Sequence, residues 1–199
     1  MTYVIFDTET TGLPNDRLPP DHPDQPHVCQ LAAQELDDDR RVVTEINVLI
    51  KPDGWTIPAQ ATAVHGITQA TAERYGIKVD GALALLRRMI SRSRVVIAHN
   101  LEFDARMIAR DARGASWADV SAVGYCTMTA GTDVVKRPPT ERMLAKGMTG
   151  YKKPSLTEAY RHFFGRDFAG AHDAMADVRA CRDVYFALLD ESQAAEVAP

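Results

Sequence analysis

Asp7 and Glu9 stand two residues apart at the end of a short apolar run, Tyr3-Val4-Ile5-Phe6. If that run is a strand, side chains at i and i+2 point to one face. Two carboxylates placed together repel each other in water, and the pair becomes favourable when a cation sits between them. Hard oxygen donors suit Mg²⁺ or Mn²⁺. A lone Asp-x-Glu is more often a solvated strand end, but this pair has company. Asp104 follows the apolar run Val95 to Ala98, near the start of a helical pattern, and Asp177 lies in the last helical pattern, five residues after His172. Taken singly, Asp104 suits a helix N-terminus through the dipole, Asp177 is one charge on a wet helix face, and His172 is a loop residue. The complete ordered set, four carboxylates and a histidine, is what calls for explanation.

The elements that must position these groups can be read from periodicity. Tyr3 to Asp7 reads as a first strand with Val4 and Phe6 on one face; residues 14–26 hold too much Pro and Asp for regular structure and read as a loop. Val28 to Leu36 and Val42 to Ile50 read as strands joined by a hairpin turn at Asp37 to Arg40, giving an antiparallel meander. The period then changes. Gly81 to Ser91 carries Leu83, Leu86 and Ile90 at helical spacing, and Leu101 to Ala112 does the same with Phe103, Met107 and Ile108; Val95 to Ala98 between them is a short buried strand. Val120 to Thr127 is a candidate fifth strand, and Lys136 to Lys153 reads as a loop. Ser155 with Glu158 three residues on is a capping-box pattern opening a helix that Gly165 ends. Asp173 to Leu189 is a final amphipathic helix. Strands in a meander followed by alternating helix and strand predict an α/β fold with a mixed sheet. We expect one domain, residues 1–190, followed by a short polar tail, 191–199, that frays.

Composition bounds the function. The 199 residues are 45% hydrophobic and 25% charged, ordinary for a globular domain with a sizeable core. No apolar run approaches the roughly 20 residues that span a bilayer. The first strand begins almost at the initiator Met, leaving no room for a secretory signal, so a cytoplasmic location is expected. The net charge of −4 argues mildly against nucleic-acid binding, although distribution counts for more than the sum. Residues 136–153 hold Lys136, Arg137, Arg142, Lys146, Lys152 and Lys153 against Glu141 alone, a local +5. That segment is equally readable as a solvated loop or as a track for phosphates. Cys29, Cys126 and Cys181 are far apart, odd in number and without a CxxC pair, which fits buried reduced thiols.

The ordered set carries a resemblance. Asp7-Thr8-Glu9-Thr10-Thr11-Gly12-Leu13 resembles the first motif of the DnaQ-like 3′–5′ exonucleases, a family that includes the proofreading epsilon subunit of bacterial replicative polymerase. His99-Asn100-Leu101-Glu102-Phe103-Asp104 resembles the second, and His172-Asp173-Ala174-Met175-Ala176-Asp177 the third in its H-x₄-D form. Asp7, Glu9, Asp104, His172 and Asp177 match the DEDDh signature without departure, and His65-Gly66-Ile67-Thr68 after Ile57-Pro58 looks like a segment family members carry between the first two motifs. The likeness runs from about Tyr3 to Leu189; each motif alone is weak, and three in order are specific. One departure is Cys126-Thr127-Met128, where many relatives carry Asp-Thr.

The resemblance implies a ribonuclease H-like fold, a mixed five-stranded sheet with helices on its faces. It implies that Asp7, Glu9, Asp104 and Asp177 hold two Mg²⁺ or Mn²⁺ ions about 3.5–4 Å apart, with His172 as general base, releasing nucleoside 5′-monophosphates from a 3′ end. By the same likeness, Thr10 would meet the terminal sugar, Leu13 would wedge near the last base, and Phe103 and His65 would line the pocket. Core packing is the alternative for Leu13 and Phe103, and a turn role for His65 and His99. His22 and His27 are given no role. The 3′ end of single-stranded DNA is the preferred partner. An RNA substrate, in the manner of ribonuclease T or oligoribonuclease, is the main alternative, because the sugar is read by a few contacts at its 2′ position. An inactive binding module ranks below both, since it would be marked by loss of a carboxylate. A polymerase partner is compatible but not favoured, because only Asp190 to Pro199 follow the last predicted helix.

Overall fold

The computed structural model describes residues 2–19, 22–112 and 124–197. Strand β1 (Thr2–Thr10) is the centre of a five-stranded sheet of order β3-β2-β1-β4-β5. It pairs antiparallel with β2 (Val28–Leu36), which pairs antiparallel with β3 (Val42–Leu49), the predicted meander. On its other side β1 runs parallel to β4 (Ser93–Ala98), and β4 runs parallel to β5 (Gly124–Cys126). The sheet is therefore mixed, as the change of period required. Of the predicted fifth strand, residues 120–123 lie outside the described residues, and Thr127 opens a helix instead.

Between β3 and β4 lie α1 (Ala59–His65), α2 (Gln69–Tyr75) and α3 (Val79–Ile90). After β4 comes α4 (Leu101–Asp111); after β5 come α5 (Thr127–Ala130), α6 (Thr132–Val135), α7 (Glu141–Ala145), α8 (Leu156–Phe164) and α9 (Ala174–Val197). The capping box at Ser155 and Glu158 forms as predicted, and Gly165 ends α8 in the left-handed conformation that glycine adopts without steric cost. The last helix passes the expected end at Leu189 and continues to Val197, where a separate tail was expected. Residues 190–197 contain no Gly or Pro, and their alanines favour continuation of the helix.

The alternation in β1 sorts two cores. Val4 and Phe6 meet Leu83 and Leu86 of α3 and Met107 and Ile108 of α4 on one face. Ile5, with Ile97 of β4, meets Met175, Val178 and Cys181 of α9 on the other. Helix α8 is not laid on the sheet; Ala159 and Tyr160 pack on Ala180, Val184 and Leu188 of α9. All three cysteines are free thiols, Cys29 and Cys181 buried and Cys126 partly so.

Candidate active site

The same alternation aims the carboxylates. Asp7 and Glu9 continue the face of Ile5, toward α9, while Thr8 continues the face of Val4 and Phe6, toward α4. Thr8 meets Asp104 there. Its backbone N–H donates to Asp104 Oδ1 at 3.1 Å and its hydroxyl donates to the same oxygen at 2.7 Å. Asp104 is thus drawn from the first turn of α4 up to the end of the sheet, and is almost wholly buried. The chain turns from β4 into α4 through Asn100, whose φ of 76° is left-handed, a conformation Asn tolerates better than most residues.

The start of α9 closes the other side. Asp173 accepts from the Ala176 N–H at 3.0 Å, the bond an N-cap makes. Gln30, opposite Glu9 in the β1–β2 register, fastens that cap to the sheet: its amide donates to Asp173 Oδ2 at 3.1 Å, and its carbonyl oxygen accepts from the Ala174 N–H at 3.3 Å. Exposed His172 has a φ of 70°, and its N–H donates to Asp177 Oδ2 at 3.1 Å. A left-handed non-glycine residue is uncommon and persists where its surroundings determine it. Ligand atoms of Glu9, His172 and Asp177 lie within 4.8 Å of one another. Five residues spread over 170 positions therefore converge at the ends of β1 and β4 and the start of α9.

The electrostatics are those of an uncompensated anion cluster. Burial, reinforced by Asp104, Asp177 and Glu9, holds the Asp7 carboxyl well above its usual range. Burial, then Asp177 and Asp104, pushes Glu9 up to about 8. Burial raises Asp104 to about 7 against the two Thr8 donors, and raises Asp177 to about 6 against the His172 N–H. No lysine or arginine pairs with any of the four among the described residues. The missing counter-charge and the all-oxygen donor set fit a hard divalent cation.

A stability test follows. A carboxyl raised in the fold holds a proton that the unfolded chain releases above its ordinary value, so it removes stability as pH rises toward the folded value. His99, lowered by burial to about 4, works in the opposite sense below about 6.5, the ordinary histidine value. The clean window is therefore pH 6.5 to 8, where Glu9 acts throughout and Asp104 over the lower part. Each retained proton costs about 1.4 kcal/mol per pH unit. The melting temperature in chelator is expected to fall by about 5 °C or more across the window, and to recover when Mg²⁺ or Mn²⁺ replaces the chelator. A flat profile in differential scanning calorimetry would contradict a buried, uncompensated cluster.

The four secondary residues divide. His65 ends α1, its Nδ1 accepting from the Ile67 N–H at 3.0 Å and its Nε2 3.6 Å from Cys29 Sγ. Burial lowers its ring, which feels both the Thr10 backbone and His172, so it borders the cluster. The Thr10 hydroxyl donates to the Gly12 carbonyl at 2.8 Å, setting the turn that follows β1. Leu13 is 83% exposed, which removes core packing as its explanation. Phe103 is partly buried against the α3–α4 core. Sequence reading missed Thr8 and Gln30, whose partners are 96 and up to 144 residues away. It left His99 open, and the structure gives it a holding role: Nε2 donates to the Pro154 carbonyl at 3.1 Å, which leaves Nδ1 to accept from the Thr127 hydroxyl at 2.9 Å. A cavity of about 450 Å³, lined by His27, Lys51, Trp55, Lys78 and Arg110 among others, includes none of the five residues. Among the described residues no helix is long and apolar enough to cross a membrane.

Known proteins share this fold. The Rhodobacter capsulatus protein named DNA polymerase III subunit epsilon-like protein is 38% identical over 114 residues, 55% of this chain and 14% of that one. Escherichia coli exonuclease I in complex with a dT13 oligonucleotide superposes with a TM-score of 0.71 at 20% identity, covering 98% of this chain and 42% of that one. Its zinc-bound complex with single-stranded DNA gives 0.68 at 20% identity, covering 96% and 41%. The chain thus spans under half the length of these relatives. At such identity the superposition establishes the fold, which is ribonuclease H-like. The exonuclease family matches residues 4–185, nearly the whole described sheet and its helices, and with the three motifs meeting at one sheet end the chain belongs to that family, the DnaQ-like 3′–5′ exonuclease family.

Proposed function

We propose that this chain, through one domain of residues 1–190, removes nucleoside 5′-monophosphates from the 3′ end of DNA, preferring single strands, and does so with two Mg²⁺ or Mn²⁺ ions. The observation that carries the reading is the cluster of four buried or half-buried carboxylates that no lysine or arginine pairs with among the described residues, with His172 at its rim. The oligonucleotides named in the exonuclease I complexes, dT13 and dA16, support single-stranded DNA as the substrate class.

Asp7, Glu9, Asp104 and Asp177 would hold the cations. When bound, these ions supply charge neutralisation at the phosphate and a water acidic enough to attack near neutrality. The remaining work belongs to the chain. Thr8 commits one oxygen of Asp104 to the sheet, so the carboxylate cannot swing away when the strand enters. Gln30 locks the start of α9, and with it Asp177, to β2. His172 spends its backbone N–H on Asp177, which leaves the imidazole beside Glu9 to accept the proton of the attacking water at a ring nitrogen. His65, Thr10, Leu13 and Phe103 would hold the terminal nucleotide, Leu13 from an exposed position suited to meeting a base.

The test is a digestion panel with end-labelled strands. With Mg²⁺ or Mn²⁺, a 5′-labelled DNA strand is expected to give a descending ladder and a 3′-labelled strand to release labelled mononucleotide at once. Chelator should abolish both after removal of carried-over metal. Early mononucleotide from the 5′ label, or full activity in chelator, would overturn the reading. Faster digestion of RNA than of DNA in the same panel would move the substrate to the ribonuclease side.

A further inference from the structure

We propose that residues 136–153 form a docking lobe for a single nucleic-acid strand, gripping the phosphates and bases that lie 5′ of the nucleotide being removed. This rests on the exonuclease reading above and adds to it a second contact surface outside the catalytic cluster.

Topology places the lobe at the correct edge. Strands β1, β4 and β5 are parallel, so their C-terminal ends share one side of the sheet. Asp7 and Glu9 lie toward the end of β1, Asp104 follows β4, and the chain that leaves β5 at Cys126 passes through α5 and α6 directly into the lobe. The lobe is also fastened there. The Lys152 N–H donates to the Arg137 carbonyl at 2.9 Å, an antiparallel bridge that closes the segment at its base. Arg137 and Lys152 both reach Glu158, at 3.2 and 2.8 Å, the residue that completes the capping box of α8. His99 then ties the Pro154 carbonyl, one residue beyond the lobe, to the turn that precedes α4 and Asp104.

The fastening sorts the charges. Of six cations, Arg137 and Lys152 are consumed at the base. Lys136, Arg142, Lys146 and Lys153 are exposed and form no ion pair among the described residues. A chain of net charge −4 keeps four unpaired cations on one small projection. Between them stand Leu144, Met148 and Tyr151, which are 51%, 52% and 46% exposed. A solvated loop has no use for three outward apolar side chains. Cations interleaved with an aromatic and two apolar groups match a strand that offers phosphates and base faces alternately.

The experiment compares a 30-nucleotide single strand with a dinucleotide, which offers only one nucleotide 5′ of the bond that is cut. Variant one replaces Lys136, Arg142, Lys146 and Lys153 with Gln; variant two is Tyr151→Ala; variant three keeps the charge with Arg at the three lysines. Variant one is expected to lose about 10-fold or more in kcat/KM on the long strand at low salt. It should cleave the dinucleotide within two-fold of the parent. Its binding, measured by anisotropy in chelator, should depend less steeply on salt, the logarithmic slope changing by up to about 3 at roughly 0.7 per phosphate contact. Variant two should lose about 5-fold or more on the long strand, the lower end for one stacked base, and variant three should restore binding. Equal losses on both substrates, or an unchanged salt slope, would overturn the lobe. If the parent cleaves neither substrate the exonuclease reading fails, and the anisotropy series still decides the lobe, since identical strand binding by parent and variant one rejects it.

Discussion

Asp7→Asn is expected to lower turnover by about 10³-fold or more while leaving a folded protein that melts higher than the parent in chelator at pH 8. The two effects share one cause. Asp7 sits among Asp104, Asp177 and Glu9 with no basic partner among the described residues, so its charge disfavours the cation-free fold. Asparagine keeps the shape and removes the charge. The same charge is what would hold a divalent ion against the scissile phosphate, an interaction worth several kcal/mol of transition-state stabilisation. The opposite movement of activity and stability is the discriminating signature. Ordinary structural damage lowers both, and an exposed strand-end acid would change neither by much. The measurements are single-turnover hydrolysis of a labelled strand with saturating Mg²⁺, and a thermal melt with and without chelator. Turnover near that of the parent would remove Asp7 from the site, and a lower melting temperature in chelator would remove the repulsion argument.

Much of this was legible from residue order because it rests on local rules. Alternation over residues 3–9 gives the strand, its two faces and the common direction of Asp7 and Glu9. Ser155, Glu158 and Gly165 announce both ends of α8. What escaped depends on contacts far along the chain or on elements too short to carry a period. Thr8 reads as the spacer of an Asp-x-Glu pair, and only the approach of α4 makes it the donor that seats Asp104. Gln30 is one of three polar residues, with Gln34 and Glu35, in a strand buried throughout, and its purpose appears when the cap of α9 arrives beside it. Helices α1 and α2 have seven residues each, less than two full amphipathic turns, and they are held by Gly66, by the Thr68 cap and by a small cluster of Ile57, Ala61, Ile67 and Ala72 with Cys29. The same limit hid α7 inside the basic segment, where Thr140 caps five residues. Leu13 shows the reverse case, where sequence left core packing open and 83% exposure closes it.

His172→Ala is expected to lose about 10²–10⁴ in the chemical step, the usual range for a positioned proton acceptor. Its partners explain why strand and cation binding should survive. The bond that anchors the loop to Asp177 comes from the His172 backbone, which alanine retains, and the carboxylates belong to other elements. One cost is local: the residue at 172 has a φ of 70°, a conformation alanine accepts poorly. His172→Asn, which tolerates that backbone and keeps a polar head, separates loss of the base from loss of the turn. If proton acceptance is the role, the Asn and Ala variants are equally slow, both bind Mn²⁺ and a labelled strand like the parent, and both lack the rising limb that the parent shows with increasing pH. If the role is to shape the loop, Asn recovers most of the rate. Single-turnover profiles at saturating metal decide between these, because they isolate the chemical step from product release. Profiles that coincide with the parent in shape and height for both variants would make His172 a bystander at the rim, and would leave the carboxylates to act without a histidine.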